Sequence, residues 1–283
     1  MPPDSAAALR ETLRRNDAVG ALTAWEQLRA DSFWLSGSLL WQLLHVCNRA
    51  GKWRCAHDVL VASEAKPPDG GGMAIDVGKW NVVLQGCVRA GELREAEALL
   101  DDLTAAASEG SSRAANAESF NALMRGYLPA WAGGEGEEAR VRRAEALLAR
   151  MVAAGVAPDA ATYAALVGLH WINAPRVSEL MAQAEASCVK LEVRTYARAS
   201  RALWWALQPE PAWGIIGTMR RAGVEPDAEF YATAIAAAES VSCFDDADRL
   251  HREAIKTNLG DAVADQLVRF HKRPNNGRRP GAR

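Results

Sequence analysis

Apolar residues recur along this chain at helical spacing. Leu93, Ala96, Leu99, Leu100 and Leu103 fall at i, i+3, i+6, i+7 and i+10, and Val141, Ala144, Leu147, Leu148 and Met151 repeat those offsets. At 3.6 residues per turn these positions make one stripe, so each segment predicts an amphipathic helix with a single buried face. A second kind of helix opens on an aromatic residue: Trp80-Asn81-Val82-Val83-Leu84, Phe120-Asn121-Ala122-Leu123-Met124, Tyr163-Ala164-Ala165-Leu166-Val167 and Tyr196-Ala197-Arg198-Ala199-Ser200. The residue after the aromatic varies. No apolar run alternates with period two between hairpin turns, so no sheet is predicted.

The two kinds of helix alternate. Asn48-Arg49-Ala50-Gly51-Lys52-Trp53-Arg54-Cys55-Ala56 and Val88-Arg89-Ala90-Gly91-Glu92-Leu93-Arg94-Glu95-Ala96 share one plan: a helix end, an Arg-Ala-Gly turn, and a second helix with Ala in its first turn. The glycine suits the positive φ just past a helix end. Followed along the chain, the small residue falls at Ala21, Ala56, Ala96, Ala144, Ala212 and Ala247, with Leu180 in the slot between the fourth and fifth. The spacings of 35, 40, 48, 36, 32 and 35 residues predict an all-α solenoid of helix-turn-helix repeats. The approximate units are 2–36, 37–76, 77–116, 117–159, 160–192, 193–227 and 228–262. The long spacings have visible causes in polar or small-residue insertions at 66–72, 107–115 and 129–137, which lengthen connections without touching the stacked core.

Unit endings narrow the repeat type. Gly155-Val156-Ala157-Pro158-Asp159 and Gly223-Val224-Glu225-Pro226-Asp227, followed by openings such as Thr162-Tyr163-Ala164 and Thr195-Tyr196-Ala197, resemble the pentatricopeptide repeat. Tetratricopeptide repeats share the helix-pair plan but lack the Pro-Asp ending and the Tyr-plus-variable opening. The resemblance implies a right-handed superhelix whose first helices line a concave groove facing single-stranded RNA, each unit reading one base through two or three side chains. In that family the reading residue follows the opening aromatic, and its partner closes the unit. Carried over, the pairs are Asn81 with Asn116, Asn121 with Asp159, Ala164 with Glu192, Ala197 with Asp227, and Trp41 with Asp76, while Ala232 opens a further unit with no clear partner. An amide offers a donor and an acceptor to a base edge, and a neighbouring carboxylate can orient it. By resemblance Asn with Asp favours uridine and Asn with Asn a pyrimidine. The other pairs depart from the pattern, because Ala has no polar reach and Glu192 repels phosphate; Trp41 either stacks on a base or packs against neighbours.

Composition then limits the chemistry. The net charge of −2 gives no global attraction to nucleic acid, so any such attraction must be local. From 263 to 283 the chain carries Arg269, Lys272, Arg273, Arg278, Arg279 and Arg283 with prolines and glycines, which predicts a flexible basic C-terminal tail, either a phosphate-contacting arm or a solvated end. No apolar run reaches the length of a membrane span. Five scattered cysteines without a CxxC pattern fit reduced, buried thiols. His45, Cys47, Cys55 and His57 lack the spacing of a zinc finger, and Asp245, Asp246 and Asp248 suit the first turn of a helix better than a cation site. No phosphate-cradling glycine loop or nucleophile elbow occurs, so no cofactor, no metal and no catalytic centre are expected. The acids among residues 1–30 are unlike a transit peptide. The resemblance therefore implies a single-stranded-RNA-binding protein of mitochondrion or chloroplast, pyrimidine-leaning and weakly sequence-specific, acting in RNA processing, stability or translation beside ribosomal or RNA-processing proteins. The alternative is a protein-interaction scaffold or ribosome-associated subunit using the same groove.

Overall fold

A computed structural model describes residues 4–31, 35–64, 75–106, 111–128 and 136–272. Among these the chain forms fifteen α-helices and no strand, the all-α solenoid class expected from its periodicity. Two compact units result, Met1–Ala157 and Pro158–Arg283. The first holds α1 (Asp4–Arg14), α2 (Ala18–Ala30), α3 (Gly37–Arg49), α4 (Trp53–Glu64), α5 (Val77–Arg89), α6 (Leu93–Ala105), α7 (Ala117–Gly126) and α8 (Glu137–Ala153). The second holds α9 (Ala160–Leu169), α10 (Ala174–Ala186), α11 (Val193–Trp205), α12 (Pro209–Arg221), α13 (Ala228–Ser240), α14 (Phe244–Lys256) and α15 (Gly260–Lys272).

Helix ends follow the local chemistry. Asp76, Asn116, Asp159 and Asp227 are N-caps whose side chains accept from the backbone N–H three residues on, so the Pro-Asp endings act as caps for the next first helix. Gly51, Gly91, Gly155 and Gly223 adopt positive φ, and the next N–H bonds back to the carbonyl five residues before it, as in Lys52 to Cys47 and Val224 to Met219.

Within each unit, first helices pack on first helices: α5 lies between α3 and α7, and α11 between α9 and α13. The small residues Ala21, Ala56, Ala96, Ala144, Ala212 and Ala247 are buried. The slot assigned to Leu180 belongs instead to Val177, the fourth residue of α10, as Ala96 is of α6 and Ala212 of α12. Both Val177 and Leu180 are buried, so burial periodicity could not separate them.

The cysteines are free, but only Cys47 and Cys87 are fully buried, and burial pushes their thiols up to about 11 and about 12. Cys55 and Cys243 are half-buried, and Cys188 is exposed at a left-handed helix end. Helix α15 covers the first ten residues of the stretch expected to be a flexible tail and buries Val263 against the unit. Insertion 66–72, parts of those at 107–115 and 129–137, and Arg273, Arg278, Arg279 and Arg283 lie outside the described residues. Among the described residues no helix is long and apolar enough to cross a membrane, and no three His, Cys, Asp or Glu side chains gather as metal ligands.

Candidate nucleic-acid interface

The pair Asn81 and Asn116 comes together as the spacing requires. Asn116 caps α7, and its Oδ1 accepts both from the backbone N–H of Ser119 and from Asn81 Nδ2 on α5, at 3.1 Å each. The Ser119 hydroxyl donates to Asn81 Oδ1 at 2.7 Å. Asn81 does not face an open trough, however. It is 1% exposed, and Glu118 lies over it, one carboxylate oxygen accepting from Asn81 Nδ2 at 3.3 Å and the other from Gln85 Nε2 at 3.2 Å. Glu118 leaves no periodic mark in the sequence, where it looks like an acid placed for the α7 dipole.

The remaining predicted residues divide by role. Asn121 is 4% exposed on α7 in the first unit, and Asp159 caps α9 in the second through a reciprocal bond pair with Thr162. Asp76 caps α5 and pairs with Lys79 Nζ at 3.0 Å; the Lys79 side-chain bond holds its carboxyl below the usual range. Trp41 is 41% exposed and meets His45 edge-on, ring centroids 4.8 Å apart. Ala164 is half-buried and Ala197 buried, Glu192 is exposed and paired with Arg194 at 2.9 Å, and Asp227 caps α13. Ala232 is fully buried. Arg269 is exposed on α15, and Lys272 ends that helix.

Charge is sorted by helix layer, which a whole-chain sum conceals. The first helices α3, α5, α7, α9, α11 and α13 carry Arg49, Lys79, Arg89, Arg125, Arg194, Arg198 and Arg201 against Glu118, Glu229 and Glu239 alone. The second helices carry most of the acids, and several of their arginines form ion pairs between successive pairs: Arg54 with Glu92, Arg143 with Glu97 and Arg150 with Asp101 in the first unit, Arg221 with Glu185 and Arg220 with Glu253 in the second. Arg49, Arg89, Arg125, Arg198 and Arg201 on the first helices have no carboxylate within 4.0 Å among the described residues, as is also true of Arg29, Arg94, Arg140, Arg249 and Arg252 on the second; the layers differ in their balance of charge, the first carrying few acids. Reading charge helix by helix would have found this segregation.

On the first unit this layer gathers Trp41, His45, Arg49 and Arg89. Burial, and then the Arg49 and Arg89 charges, hold the His45 imidazole below its ordinary value, so it stays neutral at neutral pH. The cluster offers an aromatic face beside two uncompensated guanidiniums. Such a surface suits a polyanion that carries flat bases.

Residues 80–105, most of α5 and α6, match the sequence model of the PPR repeat. No curated protein matches the chain. Among solved structures, the pentatricopeptide repeat protein PPR10 from maize superposes with a TM-score of 0.59 at 21% identity, over 97% of this chain and 40% of PPR10. PPR10 in complex with an 18-nt psaJ RNA element gives 0.55 at 22% identity, over 96% and 39%. Nuclear proteinaceous RNase P 2 from Arabidopsis thaliana gives 0.50 at 18% identity, over 62% and 37%. The chain thus spans about two fifths of the length of PPR10. It carries a recognisable PPR repeat at 80–105 and has the fold of the pentatricopeptide repeat solenoids.

Proposed function

We propose that this chain binds single-stranded RNA along the faces of its first helices, chiefly through the phosphate backbone and only secondarily through bases. The observation that carries the reading is the excess of basic over acidic residues on the first helices, where the arginines of α3, α5, α7 and α11 other than Arg194 have no carboxylate partner among the described residues, in a protein whose other layer carries most of the acids. Phosphate contacts supply most of the sequence-independent affinity for nucleic acid, whereas base edges supply selectivity. With Asn81 capped by Glu118 and alanines at 164, 197 and 232, base selectivity is weak and leans to pyrimidines. The fold shared with PPR10, which has been solved in complex with RNA, supports the same reading. The role is processing, stability or translation of an RNA in a mitochondrion or chloroplast, with no catalytic step of the chain's own and with ribosomal or processing proteins as company. Arg269, exposed on α15, would extend the phosphate contacts beyond the last helix pair.

The test is fluorescence anisotropy of the full chain with labelled oligouridylate, oligoadenylate and duplex RNA. Saturable binding of both single strands, oligouridylate tighter by a few-fold, with the duplex weaker, is the expected result. Failure of both single strands to saturate would remove the proposal.

A further inference from the structure

The arginines of α11 differ from the others of the first-helix layer. Arg194, Arg198 and Arg201 fall at i, i+4 and i+7, one face of the helix, and Trp205 continues that face a turn later. Arg194 is satisfied by Glu192, but Arg198 and Arg201 have no carboxylate within 4.0 Å among the described residues. Arg201 also sits half-buried with its guanidinium carbon 5.1 Å from the Trp205 ring centre. That ring is itself fixed: its Nε1 donates to the Ser240 hydroxyl on α13 at 3.1 Å, and Trp171 meets it edge-on at 5.9 Å. Residues on the flanking first helices at the corresponding turns are small or neutral, Ala161, Ala164 and Gly168 on α9 and Thr233 and Ala236 on α13, except for Glu229 in the first turn of α13, which does not come within 4.0 Å of either arginine.

A cation held away from water is ordinarily paired, because desolvation without a counter-charge is costly. Here burial and then the neighbouring Arg198 charge lower the Arg201 pKa, as expected of two like charges with no carboxylate within 4.0 Å among the described residues. An indole shelf fixes the guanidinium plane and reduces the entropy lost when it binds, and a planar fork of donors fits two oxygens of one phosphate. The indole stabilises the cation but does not neutralise it. Shelf and fork together prepare an anion site.

We propose that Arg198 and Arg201 of α11, with Arg201 laid on Trp205, form a phosphate clamp for the backbone of single-stranded RNA. The clamp sits at a unit whose reading position, Ala197, offers no polar group to a base. This rests on the RNA-binding reading above and adds a division of labour: the unit opening at 193 holds the strand without reading it.

The experiment compares the full-length chain with Arg198→Ala/Arg201→Ala and with Arg201→Lys, using labelled oligouridylate and oligoadenylate across a salt series. For the double variant, affinity should fall about tenfold or more, equally for both oligomers, as two charge-assisted contacts are lost. The slope of log affinity against log salt should shrink by about 1.4, at about 0.7 per phosphate on a single strand. The thermal midpoint should change little, since relief of an uncompensated cation offsets the lost contact with the indole. Arg201→Lys should keep the slope and lose less affinity than the double variant, because the charge remains, yet still bind more weakly than wild type, because an ammonium lacks the planar fork of donors. Wild-type affinity and slope in the double variant would overturn the clamp and leave RNA binding standing. So would a loss confined to one oligomer, or one that tracks a lowered thermal midpoint. A wild-type chain that binds neither oligomer removes the RNA reading itself, and the clamp with it.

Discussion

At Asn81, three neighbours compete for one amide. Its Nδ2 faces Asn116 Oδ1 and a Glu118 oxygen, and its Oδ1 takes the Ser119 hydroxyl. A base edge that used this amide would have to displace Glu118, the one exposed member of the group, and bring phosphate near its charge. Two unit charges about 4 Å apart in water interact by about 1 kcal/mol, which is roughly fivefold in affinity. Glu118→Ala should therefore tighten oligouridylate binding about fivefold while costing up to about 1 kcal/mol of stability from the lost helix-dipole interaction. Unchanged or weaker binding would show that Asn81 is not uncovered by RNA. Asn81→Ala acts differently. It leaves the buried Ser119 hydroxyl without its acceptor on α5, so urea denaturation should record a loss of about 1–3 kcal/mol. A neutral result there would mean that Asn116 alone satisfies the serine.

Between elements, the recurring contact is the close approach of a first helix to the preceding pair. Gly86 and Gly126 are both the tenth residue of their helices, α5 and α7. A Cβ on Gly86 would collide with Asn48 Oδ1 and meet Trp53 Cβ at 2.8 Å; one on Gly126 would meet Leu93 Cδ2 at 2.6 Å and Val88 Cγ1 at 3.1 Å. Trp53 and Leu93 open the second helix of the preceding pair, and Asn48 and Val88 are both twelfth in their first helices, so the same joint recurs. The two sites should still respond differently. Gly→Ala inside a helix gains about 1 kcal/mol in propensity. At Gly126 the obstacle is the tip of a leucine that can turn aside, so Gly126→Ala should be near neutral. At Gly86 the Trp53 Cβ cannot move without its helix, and Asn48 is anchored by Nδ2 donating to the Val82 carbonyl at 2.8 Å. Gly86→Ala should cost about 1–3 kcal/mol, the range for overpacking, measured from urea midpoints. Equal effects at the two sites would refute this account of the joint. The sequence made the elements legible because periodicity and caps are local: Asp76, Asn116, Asp159 and Asp227 stand where a helix must begin, and the Leu93 to Leu103 stripe is buried. It did not make Glu118 legible, because that contact joins residues 37 apart that no repeat template pairs. Val177 was missed for the opposite reason. The turn before α10 lacks the Arg-Ala-Gly marker, so the register was carried across it by composition alone.

For the whole molecule, the sorted charge has consequences that net charge hides. If Arg49, Arg89, Arg125, Arg198 and Arg201 each neutralise one phosphate, the slope of log affinity against log salt should be about −3.5, at about 0.7 per contact on a single strand. A slope near zero would mean the arginine layer serves some other partner. Acidity gives an independent check through His45, which lies beside Arg49 and Arg89. Its folded-state pKa is lowered from 6.5, so the unfolded chain binds the proton more readily. The stability this contributes is fully present above pH 6.5 and is lost as pH falls through the lowered value. A phosphate seated between the two arginines would reverse that preference, since it offsets their charges and favours the imidazolium. RNA binding should then take up a proton at acid pH. Affinity should be flat between about pH 8 and 7 and rise below about 6.5, even as the free protein loses stability. His45→Gln should flatten the rise while leaving neutral-pH affinity in place. If the rise persists in that variant, the proton goes elsewhere and the strand does not pass beside α3 and α5.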